Sequence, residues 1–306
     1  MVRSRKNRVS RWTLFFILLS AVLAVLLYRA STTPGTRRVP APAARTPLPR
    51  ISPGKSPTLP LRPRKTPREV PDIVERRSPP TPASSLLPAV AILIDDLGND
   101  RAAADRIARW PFAVSGAVLP ALSGSGDAAR GLSRSGKDVL LHLPMEPKGY
   151  PGVRPGPGVI LLSQTDQEIE ATLQSDLESV PGAIGVNNHM GSAATADPRV
   201  MRAVAGVLAR HSLFFVDSRT TQATVALDAV RHAGVRAASR RVFLDDVQTE
   251  DAIETSLSLL IEKARAEGSA IAIGHPYPAT LAVLDRELPK LSGRGVRLVR
   301  VSELVE

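Results

Sequence analysis

Five ionisable residues of the chain follow short apolar runs: Asp95 and Asp96, His142, His189 and His275. Each run has the length and composition of a buried β-strand. Because parallel strands of a barrel place their carboxyl ends at one face, we expect these side chains to meet there. Two imidazoles and one carboxylate form an ordinary zinc site, and such an ion lowers the pKa of bound water to about 7. The spacing therefore predicts a metal-assisted site.

The adjacent carboxylates Asp95 and Asp96 suit a division of labour. Neighbouring residues of a regular strand point to opposite faces, but at a fraying strand end both can reach the site. One carboxylate can then hold a metal while the other accepts a proton from water. The sequence has no cysteine, so neither a thiolate ligand nor a cysteine nucleophile is available. Any metal must be held by histidine and carboxylate.

Other polar residues have less specific positions. Asp217 and the pair Asp245 and Asp246 also end predicted strands. The two remaining histidines, His211 and His232, fall in or at the ends of predicted helices, where we expect solvated or helix-terminal roles.

Residues 89–306 alternate short apolar runs with longer amphipathic segments, which is typical of buried parallel strands joined by helices. The predicted strands are 90–94, 114–119, 139–143, 183–186, 213–216, 242–244, 270–273 and 296–299. This pattern predicts an α/β fold, a seven- or eight-stranded (β/α) barrel, with an open doubly wound sheet as the alternative. No Gly-rich phosphate loop follows the first strand, which disfavours a nucleotide-binding fold.

The N-terminal residues predict export. Residues 1–11 are a basic tail, and residues 12–28 are uncharged and would span about 26 Å as a helix. The positive-inside rule keeps the tail in the cytoplasm and places the rest of the chain outside. We expect an uncleaved transmembrane anchor, with a cleaved signal peptide as the alternative.

Residues 31–88 predict a disordered linker. They hold fifteen of the 27 prolines, so they cannot bury a core. Residues 1–88 also carry 17 of the 40 Lys and Arg and 3 of the 29 Asp and Glu, which leaves 23 basic and 26 acidic residues in 89–306. The globular domain is therefore not basic, and we expect no nucleic-acid partner.

Five motifs resemble the divergent polysaccharide deacetylase family across essentially all of residues 89–306. They are IDDLG at 94–98, HLPMEP at 142–147, NNHMGS at 187–192, VDSRTT at 216–221 and IAIGHPYP at 271–278. The resemblance implies a barrel of the carbohydrate-esterase deacetylase kind that uses a divalent metal, usually zinc. With the predicted anchor, it implies a single-pass protein of the bacterial inner membrane whose catalytic domain lies in the periplasm.

The resemblance also implies residue roles. Asp96, His142 and His189 match the metal ligands, Asp95 the general base, and His275 the acid that protonates the leaving amine. Three further residues would bind substrate or support the site from behind: Asn188, Asp217 and Arg219.

The expected activity is removal of acetyl groups from N-acetylated sugars of an envelope polysaccharide or peptidoglycan. One alternative is a non-catalytic factor that uses the same pocket to bind glycan or dock a partner. It is favoured because the chain shows no evident counterpart of the Arg-containing third motif of standard deacetylases. A second alternative is a metal-dependent hydrolase of another bond, such as a phosphoester or glycosidic bond.

Overall fold

The computed structural model describes residues 87–306 of the chain. The predicted basic tail, the predicted anchor at 12–28 and residues 31–86 of the predicted linker lie outside the described residues. Among the helices within 87–306, none combines the length and the apolar character needed to cross a membrane.

The described residues form nine strands and seven α-helices. The strands are β1 (Ala89–Leu97), β2 (Ser115–Val118), β3 (Asp138–Met145), β4 (Gly185–Met190), β5 (Phe214–Asp217), β6 (Ala237–Ser239), β7 (Val242–Phe243), β8 (Ser269–Gly274) and β9 (Arg297–Val299). The helices are α1 (Arg101–Arg109), α2 (Ser125–Arg134), α3 (Asp166–Ser179), α4 (Pro198–Arg210), α5 (Ala226–His232), α6 (Glu250–Glu267) and α7 (Pro278–Glu287).

The strands pair in the order β6-β5-β4-β3-β2-β1-β8-β7, and every pairing is parallel. Consecutive strands from β1 to β6 lie side by side, as do β7 and β8, and β8 pairs with β1. This is the winding of a (β/α) barrel and not the reversing order of a doubly wound sheet. Within residues 87–306 no strand pairing joins β6 to β7. The predicted parallel (β/α) fold with eight strands is confirmed, and the sheet is a barrel that stays open between these two edges.

Two strands share one edge of β1. Residues Ala89 to Ala91 pair with β9, whereas Leu93 and the residues after it pair with β2. All eight predicted strands are present, and β6 is the strand that the sequence did not predict. Its residues, Ala-Ala-Ser, lack the branched apolar side chains by which a strand is recognised.

The strands have two apolar faces because their side chains alternate. Val90, Ile92 and Ile94 of β1 face the core beneath the helices. Ala89, Ala91 and Leu93 face a second, inner cluster that includes Phe214 and the C-terminal residues Val299, Val301 and Val305. The inner face is thus a packed apolar floor, and the next inward residues of each strand lie above it.

Helix ends follow the sequence signals. Asp197 accepts hydrogen bonds from the backbone N–H groups of Arg199 and Val200, with Pro198 in the first turn of α4. Gly268 ends α6 with φ of 85°, a conformation that favours glycine.

Candidate metal and acid–base site

The predicted site residues occupy the inward positions just above the apolar floor. His142 follows Leu140 on the inner face of β3, and His189 lies four residues beyond Gly185 on β4. Asp95 continues the inner row of β1 after Leu93. His275 stands directly after β8. The structure therefore brings the five predicted residues to one end of the barrel.

Asp96 joins this group through its backbone conformation. Its φ of 56° lies in the left-handed region, and the β1–β2 pairing shifts register between Ile94 and Leu97. This irregularity turns Asp96 to the side of Asp95, so that both carboxylates reach His142. The expected reason, a fraying strand end, is wrong because β1 continues to Leu97. A non-glycine residue in this region is strained, and such strain concentrates at functional sites.

Three atoms form a triangle suited to a metal ion. Asp96 Oδ1 lies 3.1 Å from His142 Nε2 and 3.1 Å from His189 Nδ1, and the two nitrogens are 3.0 Å apart. Three donors at these separations can all approach one ion at the Zn–N and Zn–O distances of about 2.0–2.2 Å. Asp96, His142 and His189 are also a group in the described residues that could hold a metal ion.

Asp96 Oδ1 itself favours a cation at the triangle. It is buried, and within the described residues no N–H or O–H group is aligned to donate a hydrogen bond to it. Such orphaned acceptors are rare in folded proteins and call for an explanation. An ion at the triangle would coordinate this oxygen, so the residues present fit a divalent metal.

The charges of the site point the same way. Burial opposes ionisation of Asp96, but the close contact and charge of His142 and His189 outweigh it and hold the pKa well below its usual range. Burial raises the pKa of Asp95 despite the nearby His142. Burial also opposes protonation of His142, but the charge of Asp95 and contact with Asp96 raise the pKa of the ring. The ionised form of Asp96 is thus favoured by positive charge beside it.

Asn187 links the two sides of the site. Its Nδ2 donates to both carboxylate oxygens of Asp95 at 2.9 and 3.0 Å, and it lies 3.3 Å from the hydroxyl of Ser218. Its Oδ1 lies 3.0 Å from Nδ1 of His142. One buried amide therefore contacts both the predicted base and a predicted ligand.

His275 is held by a buried carboxylate. Asp245 Oδ1 lies 2.9 Å from His275 Nδ1, and Asp245 Oδ2 accepts hydrogen bonds from His275 N and the Thr280 hydroxyl. Burial opposes protonation of His275, but the Asp245 hydrogen bond and the charge of Asp95 outweigh it and raise the pKa to about 9. His275 is therefore protonated at neutral pH. Asp245 contacts its Nδ1, so its Nε2 can face a substrate.

Aromatic side chains surround His275. Phe243 stacks on its ring at 6.2 Å between centroids, and Tyr277 lies at 5.4 Å. The guanidinium of Arg240 lies 3.6 Å from the centre of the Phe243 ring and donates to the carbonyl of Ser218. Burial, then the charges of Asp245 and Asp96, raise the pKa of Tyr277, so its hydroxyl lies within the field of the site.

The site is open on one side. The side chains of Asp96, His189 and His275 are 30%, 16% and 23% exposed, whereas those of His142 and Asp95 are 2% and 3% exposed. A substrate would therefore approach from the side of Asp96, His189 and His275, with His142 and Asp95 beneath.

Three predicted supporting residues lie elsewhere. Asn188 is buried and bonds to the backbone of Met190 and Ser218. Asp217 is buried too, and its oxygens accept from Arg219 N and the Thr224 hydroxyl. The Arg219 side chain is exposed. These residues shape the loop after β5, and no hydrogen bond or ion pair of the described residues joins their side chains to the five site residues.

Asn187 and Asp245 are the residues that contact the five site residues instead. Asn187 lies two residues before His189, and Asp245 lies two residues after Phe243. Because side chains two residues apart on a strand point to the same face, this spacing could have identified both residues from the sequence. His211 is exposed at the end of α4, and exposed His232 bonds to the Asp228 carbonyl in α5. Their predicted helix-terminal positions are confirmed.

The fold and site define a parallel (β/α) protein with a candidate Asp-His-His metal site at the carboxyl ends of its strands. A family model described as divergent polysaccharide deacetylase matches residues 92–305. The chain belongs to the divergent polysaccharide deacetylase family, as the motifs predicted.

Two relatives and one solved structure are similar to this chain. An uncharacterised protein of Escherichia coli (strain K12), YibQ, is 38% identical over 216 residues, 71% of this chain and 67% of that protein. An uncharacterised protein of Haemophilus influenzae (strain Rd KW20) is 37% identical over 215 residues, 70% of this chain and 76% of that one. The crystal structure of an uncharacterised Agrobacterium tumefaciens C58 protein matches with a TM-score of 0.69 at 24% identity, over 73% of this chain and 91% of that chain. This last likeness concerns the fold alone.

Proposed function

We propose that the protein is a metal-dependent hydrolase that removes acetyl groups from N-acetylated sugars of an envelope polysaccharide or peptidoglycan. The observation that carries the proposal is the triangle of Asp96 Oδ1, His142 Nε2 and His189 Nδ1, whose oxygen is buried without a hydrogen-bond partner within the described residues. Membership of a deacetylase family supports the choice of the acetamide bond.

The three triangle residues would hold the ion, for which zinc is the best candidate because two imidazoles and a carboxylate suit it. When bound, the ion supplies Lewis-acid polarisation of a carbonyl oxygen and of water. The open side of the site, with partly exposed Asp96 and His189, leaves room for a sugar acetamide beside it.

Asp95 and His275 divide the proton transfers. Asp95 Oδ2 lies 3.5 Å from His142 Nε2, so it sits beside the ion position and accepts the proton of the attacking water as the new C–O bond forms. His275, protonated and held through Nδ1 by Asp245, delivers its Nε2 proton to the amine nitrogen as the C–N bond breaks. The products are acetate and an amino sugar.

The location is proposed from the N-terminal sequence. The basic tail and the apolar run at 12–28 support a single-pass anchor in a bacterial inner membrane, with the domain in the periplasm. A Pro-rich segment extends by about 3.1 Å per residue, so residues 31–88 could carry the domain from the membrane to an envelope glycan.

The direct test measures acetate release from peptidoglycan and from chito-oligosaccharides by the zinc-loaded full-length protein in detergent. We expect release by wild type and by the surface control His211→Ala, and large losses in Asp95→Asn and His275→Ala. Peptidoglycan capture that survives in both variants, with no acetate released by wild type, would favour the non-catalytic binding factor instead. Cleavage of a phosphoester or glycosidic bond without acetate release would favour the other hydrolase class.

A further inference from the structure

We propose that Asn187 is a positioning residue that selects the metal-binding tautomer of His142 and fixes the carboxylate of Asp95 with the same amide group. This inference rests on the proposed function, because the tautomer of His142 matters for activity only if this residue binds a metal. The hydrogen-bond pattern on which it stands comes from the described residues alone.

The polarity of the amide follows from Asp95. In the ionised form, in which Asp95 can act as a base, its carboxylate only accepts hydrogen bonds, and both of its oxygens lie 2.9–3.0 Å from the same atom of Asn187. That atom must be the NH₂ nitrogen, because the flipped amide would place its carbonyl oxygen against two carboxylate oxygens. The Asn187 carbonyl oxygen therefore faces His142.

The polarity of His142 follows in turn. An amide oxygen only accepts, so His142 Nδ1, 3.0 Å away, must carry the hydrogen. In the neutral ring the lone pair then lies on Nε2, the atom of the triangle with Asp96 and His189. Metal-ligating histidines are held in this way by an acceptor on the other nitrogen, which fixes the tautomer and the ring orientation.

Burial makes the arrangement rigid. Asn187 is fully buried, and His142 and Asp95 are 2% exposed, so water cannot easily replace either contact. The Ser218 hydroxyl, 3.3 Å from Asn187 Nδ2, is a further contact of the amide within the pocket. Losing the amide would leave the His142 and Asp95 groups unsatisfied in a dry environment, which costs more than an exposed hydrogen bond.

Two substitutions separate the amide's roles from its volume. Asn187→Leu keeps the shape but removes the acceptor for His142 and the donor to Asp95. Asn187→Asp keeps an oxygen toward His142, so it retains the Nδ1–H tautomer, but it loses the donor to Asp95 and therefore serves the tautomer measurement alone. The matched control is Asn188→Leu, which also removes two buried hydrogen bonds, but to the backbone of Met190 and Ser218. Thermal melts of all three report folding.

The first readout is the ¹⁵N NMR of metal-free full-length protein at alkaline pH, where the His142 ring is neutral. We expect Nδ1 protonated in wild type, Asn187→Asp and Asn188→Leu, and a shift to protonated Nε2 in Asn187→Leu. Wild type with Nε2 protonated, or Asn187→Leu with Nδ1 still protonated, would overturn the inference. This readout needs neither metal nor activity.

The second readout is zinc affinity by chelator competition. Loss of a partner behind a ligand lowers metal affinity about 10–100-fold, which we expect for Asn187→Leu, whereas Asn188→Leu should stay near wild type. Equal losses in Asn187→Leu and Asn188→Leu would contradict the positioning role. If wild type binds no zinc, the proposed function fails, and the NMR result still decides the tautomer.

Discussion

His142 Nε2 and His189 Nδ1 lie 3.0 Å apart, although they come from adjacent strands and both belong to buried or half-buried rings. At this distance both nitrogens cannot carry a hydrogen, so one must offer its lone pair to the other or both must face a shared cation. The Asn187 contact makes His142 Nε2 the acceptor in the neutral ring. A cation would replace the remaining proton between the rings, and Asp96 Oδ1 completes its ligand set.

Asp96→Asn tests the triangle most cleanly. Asparagine tolerates the left-handed backbone conformation at this position, so the strand should keep its shape while the charge is lost. We expect zinc affinity to fall by more than about 100-fold, beyond the loss typical of partners behind a ligand. Chelator competition measures it, with exposed Asp105→Asn as the control of equal charge change. Unchanged affinity would remove Asp96 from the ligand set.

Metal removal should lower stability. An ion that binds only the folded chain stabilises it by about 2.7 kcal/mol at a free concentration of 100 times its Kd. We therefore expect the melting temperature of wild type to rise with zinc and to fall again with EDTA. His189→Ala should lose this zinc response because it removes one of the triangle's nitrogens, whereas His211→Ala should keep it. If zinc does not change the melting temperature of wild type, the ion does not stabilise the folded chain.

Much of this site follows from strand ends alone. The apolar runs located Asp95, His142, His189 and His275, since a parallel sheet collects the ends of its strands at one face. The sequence predicted a role for Asn188, but the structure shows that Asn187, on the same face of β4 as Gly185 and His189, contacts the site. Asp96 reaches the site through a left-handed backbone conformation, which the residue type alone does not predict.

The pH dependence of activity should report His275. As the proton donor it must be protonated, so kcat/KM should fall as pH rises through a pKa of about 9. Burial opposes protonation and the Asp245 hydrogen bond favours it, so Asp245→Asn should lower the pKa and move the alkaline limb to lower pH. Asp246→Asn, an exposed neighbour with the same charge change, is the control. If the alkaline limb of Asp245→Asn lies at the same pH as in wild type, Asp245 does not raise the pKa of the proton donor.

Asp176 is a buried carboxyl outside the site. It lies in α3, is 3% exposed, and its Oδ2 has no hydrogen-bond partner within the described residues. Gly158 packs against it so closely that a Cβ there would lie 2.1 Å from Asp176 Oδ1. No charged group among residues 87–306 offsets this burial, which raises the pKa of Asp176 to about 8.

This carboxyl should make stability fall as pH rises. Between about 3.8 and 8 the folded chain keeps the proton while the unfolded chain releases it, so the free energy of unfolding decreases across that window. A tenfold difference in proton affinity between the two states is worth about 1.4 kcal/mol, so the total cost is on the order of a few kcal/mol. Asp176→Asn cannot ionise, so its stability relative to wild type should improve from pH 5 to pH 8.5 in urea titrations. Exposed Glu178→Gln on the same helix should show no such trend, and a pH-independent difference for Asp176→Asn would mean that the carboxyl is already ionised in the folded protein.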